Sequence, residues 1–125
     1  MDTRNLPQEF LVEYGPLHYP EEGFSILKKG NGLVYGRGAS GDYQELVCPT
    51  KAQWDKFWQE LDELGVQDWN PTYQLCCLDG TRWKVKIACN ELEVESSGEN
   101  DYPPNFLEFW EALEELMDQD LKLDI

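Results

Sequence analysis

From Thr81 to Ser97 the chain alternates apolar and polar residues with a period of two, and the phase of that alternation constrains a strand together with its partner. Trp83, Val85, Ile87 and Cys89 alternate with Arg82, Lys84, Lys86 and Ala88. Successive strand side chains point to opposite faces, so the first set is predicted to enter a core and the second to face water. Asn90-Glu91 interrupts the pattern, after which Leu92, Val94 and Ser96 alternate with Glu93, Glu95 and Ser97. An even-numbered loop at Asn90-Glu91 sets Cys89 opposite Leu92, Ile87 opposite Val94 and Lys86 opposite Glu95. Apolar then meets apolar and opposite charges meet, whereas an odd loop spoils both pairings.

The same logic extends to both sides. Tyr73 to Leu78 reads as a strand and Asp79-Gly80 as a two-residue hairpin turn, which predicts a three-stranded antiparallel meander with residues 81–89 and 92–97. Phe10 to Tyr14 is predicted to be a short edge strand. Phe24 to Leu27 and Leu33 to Gly36 flank Gly30-Asn31-Gly32; a turn on Gly30-Asn31 pairs Leu27 with Val34 and Ile26 with Tyr35, whereas a turn on Asn31-Gly32 sets the lysines against Tyr35 and Val34, and the first register is the favoured of the two. Tyr43 to Cys48 supplies a further strand.

Two segments change to helical spacing. Thr50 with Gln53 forms a capping box ahead of Trp54, Phe57, Trp58, Leu61 and Leu64, and Gly65 ends the run. Asn105 with Glu108 is predicted to cap a second helix whose apolar stripe is Phe106, Phe109, Trp110, Leu113 and Leu116. The expected fold is therefore α+β, an antiparallel sheet of about five to seven strands with two amphipathic helices on one face. A chain of 125 residues is expected to form one domain, 1–125, with residues 1–9 and 118–125 as candidate frayed ends. Leu121, Leu123 and Ile125 alternate in the last of these, so an added strand is the other reading.

Charge sets the functional expectations. The net charge is -15, which repels phosphate and argues against nucleic acid and anionic membranes as partners. No stretch is apolar and long enough for a membrane span, and the start lacks a signal-peptide pattern, so a cytoplasmic location is expected. Cys48, Cys76, Cys77 and Cys89 contain no C-x-x-C pair and read as reduced, buried thiols, with no metal expected. His18 is the only histidine and has no nucleophile motif beside it. The Gly30 to Asp42 region matches neither phosphate-loop nor dinucleotide-binding spacing. The carboxylates fall on wet helix faces, so no catalytic residue and no cofactor is assigned.

The region 66–116 nevertheless carries a recognisable set: Trp69 and Tyr73, then Asp79-Gly80-Thr81 with Trp83, then Ser97-Gly98, Asn100, Tyr102-Pro103-Pro104 and Phe106. It resembles a family of small uncharacterised bacterial proteins with a D-G-T-x-W strand and a G-x-N-x-Y-P-P corner before a C-terminal helix. The resemblance implies a bacterial origin and an α+β fold but no activity. It marks Trp69, Trp83, Asn100 and Tyr102 as candidate surface residues; the competing reading places Trp83 and Tyr102 in the core and has Asn100 brace the corner.

Arg82, Lys84 and Lys86 complete the candidate binding surface, as a cationic strand face on an anionic protein. Their other reading is a solvated face paired with Glu93 and Glu95. The leading functional expectation is a small acidic protein-binding domain, adaptor or immunity/inhibitor-like, that recognises a basic protein partner and is itself a monomer or weak homodimer. The alternatives are a small-molecule-binding or enzymatic domain with an aromatic pocket near Trp69, Trp83 and Tyr102, and a nucleic-acid mimic.

Overall fold

A computed structural model describes residues 6–17, 23–37, 42–75, 80–90 and 92–118. His18, Cys76, Cys77, Asp79 and the tail 119–125 lie outside the described residues. The elements run β1 (Glu9–Pro16), β2 (Phe24–Lys29), β3 (Gly32–Arg37), β4 (Asp42–Val47), α1 (Lys51–Leu64), a 3₁₀ turn (Val66–Asp68), β5 (Thr72–Gln74), β6 (Thr81–Cys89), β7 (Leu92–Glu99) and α2 (Phe106–Met117). All seven strands form one sheet in the order β4-β3-β2-β1-β6-β7-β5, and the fold is α+β.

The registers expected from periodicity are those the chain adopts. β6 and β7 pair Cys89 with Leu92, Ile87 with Val94 and Lys86 with Glu95. Asn90 takes a left-handed conformation at φ 56°, which asparagine tolerates better than most residues. β2 and β3 pair Leu27 with Val34 and Ile26 with Tyr35, and Gly30 supplies the positive φ of their turn at 61°.

Two strand assignments are corrected. The Phe10 to Tyr14 segment is no edge strand: β1 sits mid-sheet, antiparallel to β2 on one side and to β6 on the other. Phe10, Val12 and Tyr14 are all buried, a degree of burial that an edge position rarely provides. β5 spans Thr72–Gln74 where a strand over Tyr73 to Leu78 is predicted; it lies beyond β7 and pairs with it in parallel, Tyr73 against Gly98, and residues 76–78 of the predicted strand lie outside the described residues. The antiparallel meander is therefore β1-β6-β7, with β5 as an added edge. The segment 66–71 between α1 and β5 includes the 3₁₀ turn, whose Val66 is fully buried.

The core forms from one face of the sheet. Phe10 and Tyr14 share a face of β1, two turns of the pleat apart; Phe10 meets Trp54 and Phe57 of α1, and Tyr14 meets Trp110 of α2. Aromatic side chains from both helices thus reach the same side of β1. On α1 the buried positions are Trp54, Phe57 and Leu61, with Trp58 and Leu64 half-buried; on α2 the whole expected stripe is buried, joined by Ala112 and Met117. Each large apolar side chain so buried contributes about 1.5–3 kcal/mol of transfer free energy.

Both ends of α1 are capped as its sequence predicts. The Thr50 hydroxyl accepts from the Gln53 main-chain N–H, the Gln53 side chain accepts from the Thr50 N–H, and Gly65 closes the helix in the left-handed region at φ 70°. α2 departs from expectation. Asn105 makes no side-chain cap on its own helix, and its amide Nδ2 instead donates to the Leu64 carbonyl at the end of α1, 2.7 Å away.

The opposite face of the sheet divides in two. Register aligns Leu11, Leu27, Val34 and Leu46 in an aliphatic row across β1 to β4. Across β1, β6, β7 and β5 the same face is polar. Among the described residues no helix is long and apolar enough to cross a membrane.

Candidate functional site

The structure separates the seven expected surface residues into two groups on opposite sides of the sheet. Trp69, Trp83, Asn100 and Tyr102 belong to the corner where β7 turns towards α2. Arg82, Lys84 and Lys86 stand on the other face of β6.

The corner is built around Trp83, which is 2% exposed. Its indole Nε1 donates to the Asp101 carbonyl, 2.8 Å away, so the ring is buried without losing its one polar bond. Tyr102 stacks on Trp83 at 17°, Trp69 meets it edge-on, and Phe106 packs against all three at 4.8 to 6.0 Å. Phe106 is 1% exposed and fills the space between these rings. The Tyr102 hydroxyl meets the Thr81 hydroxyl. Asn100 turns the chain at φ 59°, and its side-chain oxygen accepts from the Thr81 N–H, 3.0 Å away. The motif residues thus bond mainly to one another: the Thr81 N–H donates to Asn100, the Thr81 hydroxyl meets that of Tyr102, and Trp83 donates to the main chain between them.

Glycine at position 98 follows from the same packing. A Cβ there would lie 2.7 Å from the Asp101 carbonyl oxygen and 2.8 Å from Trp83 Cε2, closer than carbon atoms approach. The Trp69 indole nitrogen is buried without a hydrogen-bond partner among the described residues.

On the other face, the predicted cross-strand register of Lys86 with Glu95 is present, yet the ion pairs run to β1. Lys86 lies 3.3 Å from Glu9 and Arg82 3.9 Å from Glu13. Periodicity within β6 and β7 carried no information about β1, because the β1-β6 pairing joins segments about seventy residues apart. Arg82, Lys84 and Glu13 line a groove of about 280 Å³ with Thr72, Ser97 and Glu99, while Lys86 lies outside it. Gln74 also lines the groove and donates its side-chain amide to Glu99, 3.3 Å away.

The helices carry the strongest electrostatic bias. Asp55, Asp62 and Glu63 are exposed on α1, as are Glu108, Glu111 and Glu115 on α2, and neither helix has a basic residue in its last turn. Lys51 pairs with Asp55, and Lys56 crosses the helix seam to Glu115. Burial and the nearby Glu115 charge together hold the Glu60 carboxyl above the usual carboxylate range, and the Lys56 charge opposes them. A second, smaller hollow of about 90 Å³ opens here over Phe57, Ala112 and Leu116, with Lys56, Glu60 and Glu115 around it.

Of the thiols, Cys89 is buried as expected, and burial pushes its pKa up. Cys48 is exposed rather than buried, because it follows edge strand β4 instead of continuing it into the core. Among the described residues no group of three or more His, Cys, Asp or Glu side chains is placed to hold a metal ion. Compared with protein-family models and with curated proteins, the chain matches none.

Proposed function

We propose that this protein is a small acidic cytoplasmic binding protein, adaptor or immunity/inhibitor-like, whose helical layer recognises a basic protein partner. The observation that supports this reading is the crowding of carboxylates at the C-terminal ends of both helices. Asp62 and Glu63 in α1, and Glu115 in α2, which pairs with Lys56 of α1, occupy last turns without a basic residue. The helix macrodipole is negative at that end and disfavours acidic side chains there. Burial first, and then the Glu115 charge, raises the Glu60 pKa against the opposing Lys56 charge. A cationic surface laid across α1 and α2 relieves each of these repulsions, and the overall charge of -15 accelerates its approach.

Affinity capture from the native host at low and high salt tests this. The expected result is a stoichiometric basic partner that is released as salt rises, and lost when Asp62 and Glu63 are both changed to Lys. Capture of no such partner, or of one indifferent to salt and to the substitutions, overturns the reading.

A further inference from the structure

The polar groove on the opposite face of the sheet is independent of the acidic helical layer and has a different chemistry. Register arranges its side chains in two rows. In the first, Lys84 stands between Glu13 and Ser97, and Ser97 faces Thr72. In the second, Arg82 stands between Gly15 and Glu99, and Glu99 faces Gln74. Gly15 presents no side chain, which leaves that row open at its β1 end.

The rows offer complementary partners. An ammonium beside two hydroxyls, from Lys84, Ser97 and Thr72, is a donor set that receives a carboxylate. Arg82 is engaged by Glu13, whereas Lys84 makes no ion pair among the described residues. The Glu99 carboxylate, oriented by Gln74, accepts from an ammonium group. Alternate residues on one strand face stand about 7 Å apart. An α-amino acid holds its ammonium and carboxylate about 3 Å apart, so with one hydrogen bond of about 2.9 Å at each end it reaches across up to about 9 Å, enough to engage both rows at once.

Charge decides between ligand classes. The groove holds two cations, Arg82 and Lys84, and two anions, Glu13 and Glu99. A polyanion entering it meets the repulsion of a protein with net charge -15, while a zwitterion carries no net charge and pairs with both rows. The groove volume of about 280 Å³ leaves room for a side chain as well.

We propose that this groove binds a free zwitterionic α-amino acid, with its carboxylate on Lys84, Ser97 and Thr72 and its ammonium on Glu99. The test is an amide chemical-shift titration of the whole chain with each standard amino acid at up to about 10 mM, a range that detects weak one-site binding. At least one amino acid is expected to give saturable shifts centred on Thr72, Lys84, Ser97 and Glu99. Its decarboxylated amine and its N-acetyl derivative are expected to give none.

Lys84 is exposed, so Lys84→Met retains the fold, as its own amide spectrum will verify, and is expected to weaken binding about tenfold or more. Glu99→Gln is expected to do the same by weakening the ammonium contact. The proposal is overturned if no amino acid shifts these amides, if the shifts centre elsewhere, if the decarboxylated amine binds as well, or if Lys84→Met binds like the parent.

Discussion

The side chain of Asn105, one residue before α2, closes the far end of α1 by donating to the Leu64 carbonyl at 2.7 Å. The C-terminal carbonyls of a helix have no partners within it, and here one is satisfied by the residue that precedes the other helix instead of by the turn that follows. The contact joins residues 41 positions apart and fixes the start of α2 beside the end of α1. Asn105→Ala is expected to destabilise the protein by about 1–2 kcal/mol, because it leaves a half-buried carbonyl unpaired. Urea denaturation checks this, and an unchanged midpoint assigns the contact no role in stability.

Gly98 stands directly across from Trp83 in the β6-β7 pair and lies against its indole. Gly98→Ala places a methyl against the Trp83 ring and the Asp101 carbonyl, and neither has room to retreat in a packed corner. A loss of about 1–3 kcal/mol is expected from overpacking. A shifted tryptophan emission maximum should accompany it, since the Trp83 indole bond to Asp101 is displaced. Full stability with an unchanged spectrum contradicts the close approach.

Glu60 makes stability depend on pH in a direction opposite to most carboxylates. Its pKa is raised in the folded state, first by burial and then by the Glu115 charge. Folded protein therefore holds this proton more tightly than unfolded chain does, and stability falls as pH rises from the ordinary carboxylate range through the raised value. Glu60→Gln is expected to stabilise the protein at neutral pH, with the gain vanishing below the ordinary carboxylate range. Thermal midpoints of parent and variant across that window measure it, and parallel curves contradict it.

Cys48 and Cys89 are expected to differ in reactivity. Cys48 is exposed, whereas Cys89 is buried and its pKa raised by that burial, so its thiolate is scarce at neutral pH. Timed alkylation followed by peptide mass mapping reads each site separately. Cys48 should be modified much sooner than Cys89 under native conditions, and equal rates contradict the burial of Cys89.

What was legible in the sequence came from short-range pattern. Two-residue alternation placed Trp83, Val85 and Ile87 inward, and the even loop after Cys89 set the β6-β7 register. The Thr50 and Gln53 box and the Gly65 stop delimited α1 because capping is decided within a turn of chain. The D-G-T-x-W and G-x-N-x-Y-P-P residues were legible as a set, but not their mutual bonding, since Thr81 meets Asn100 and Tyr102 only when β6 and the corner are brought side by side.

The sequence by itself determined which side chains of β6 and the helices face the core, where the β2-β3 and β6-β7 hairpins turn and where the helices begin, because these depend on neighbours a few residues away. Tertiary structure alone decided that β1 lies at the centre of the sheet, that β5 adds in parallel beyond β7, and that Asn105 serves α1. It also decided that Arg82 and Lys86 pair with β1, leaving Lys84 in a groove with Ser97 and Thr72. Strand order follows from the total surface buried by distant segments, and local periodicity is indifferent to which partner covers a strand.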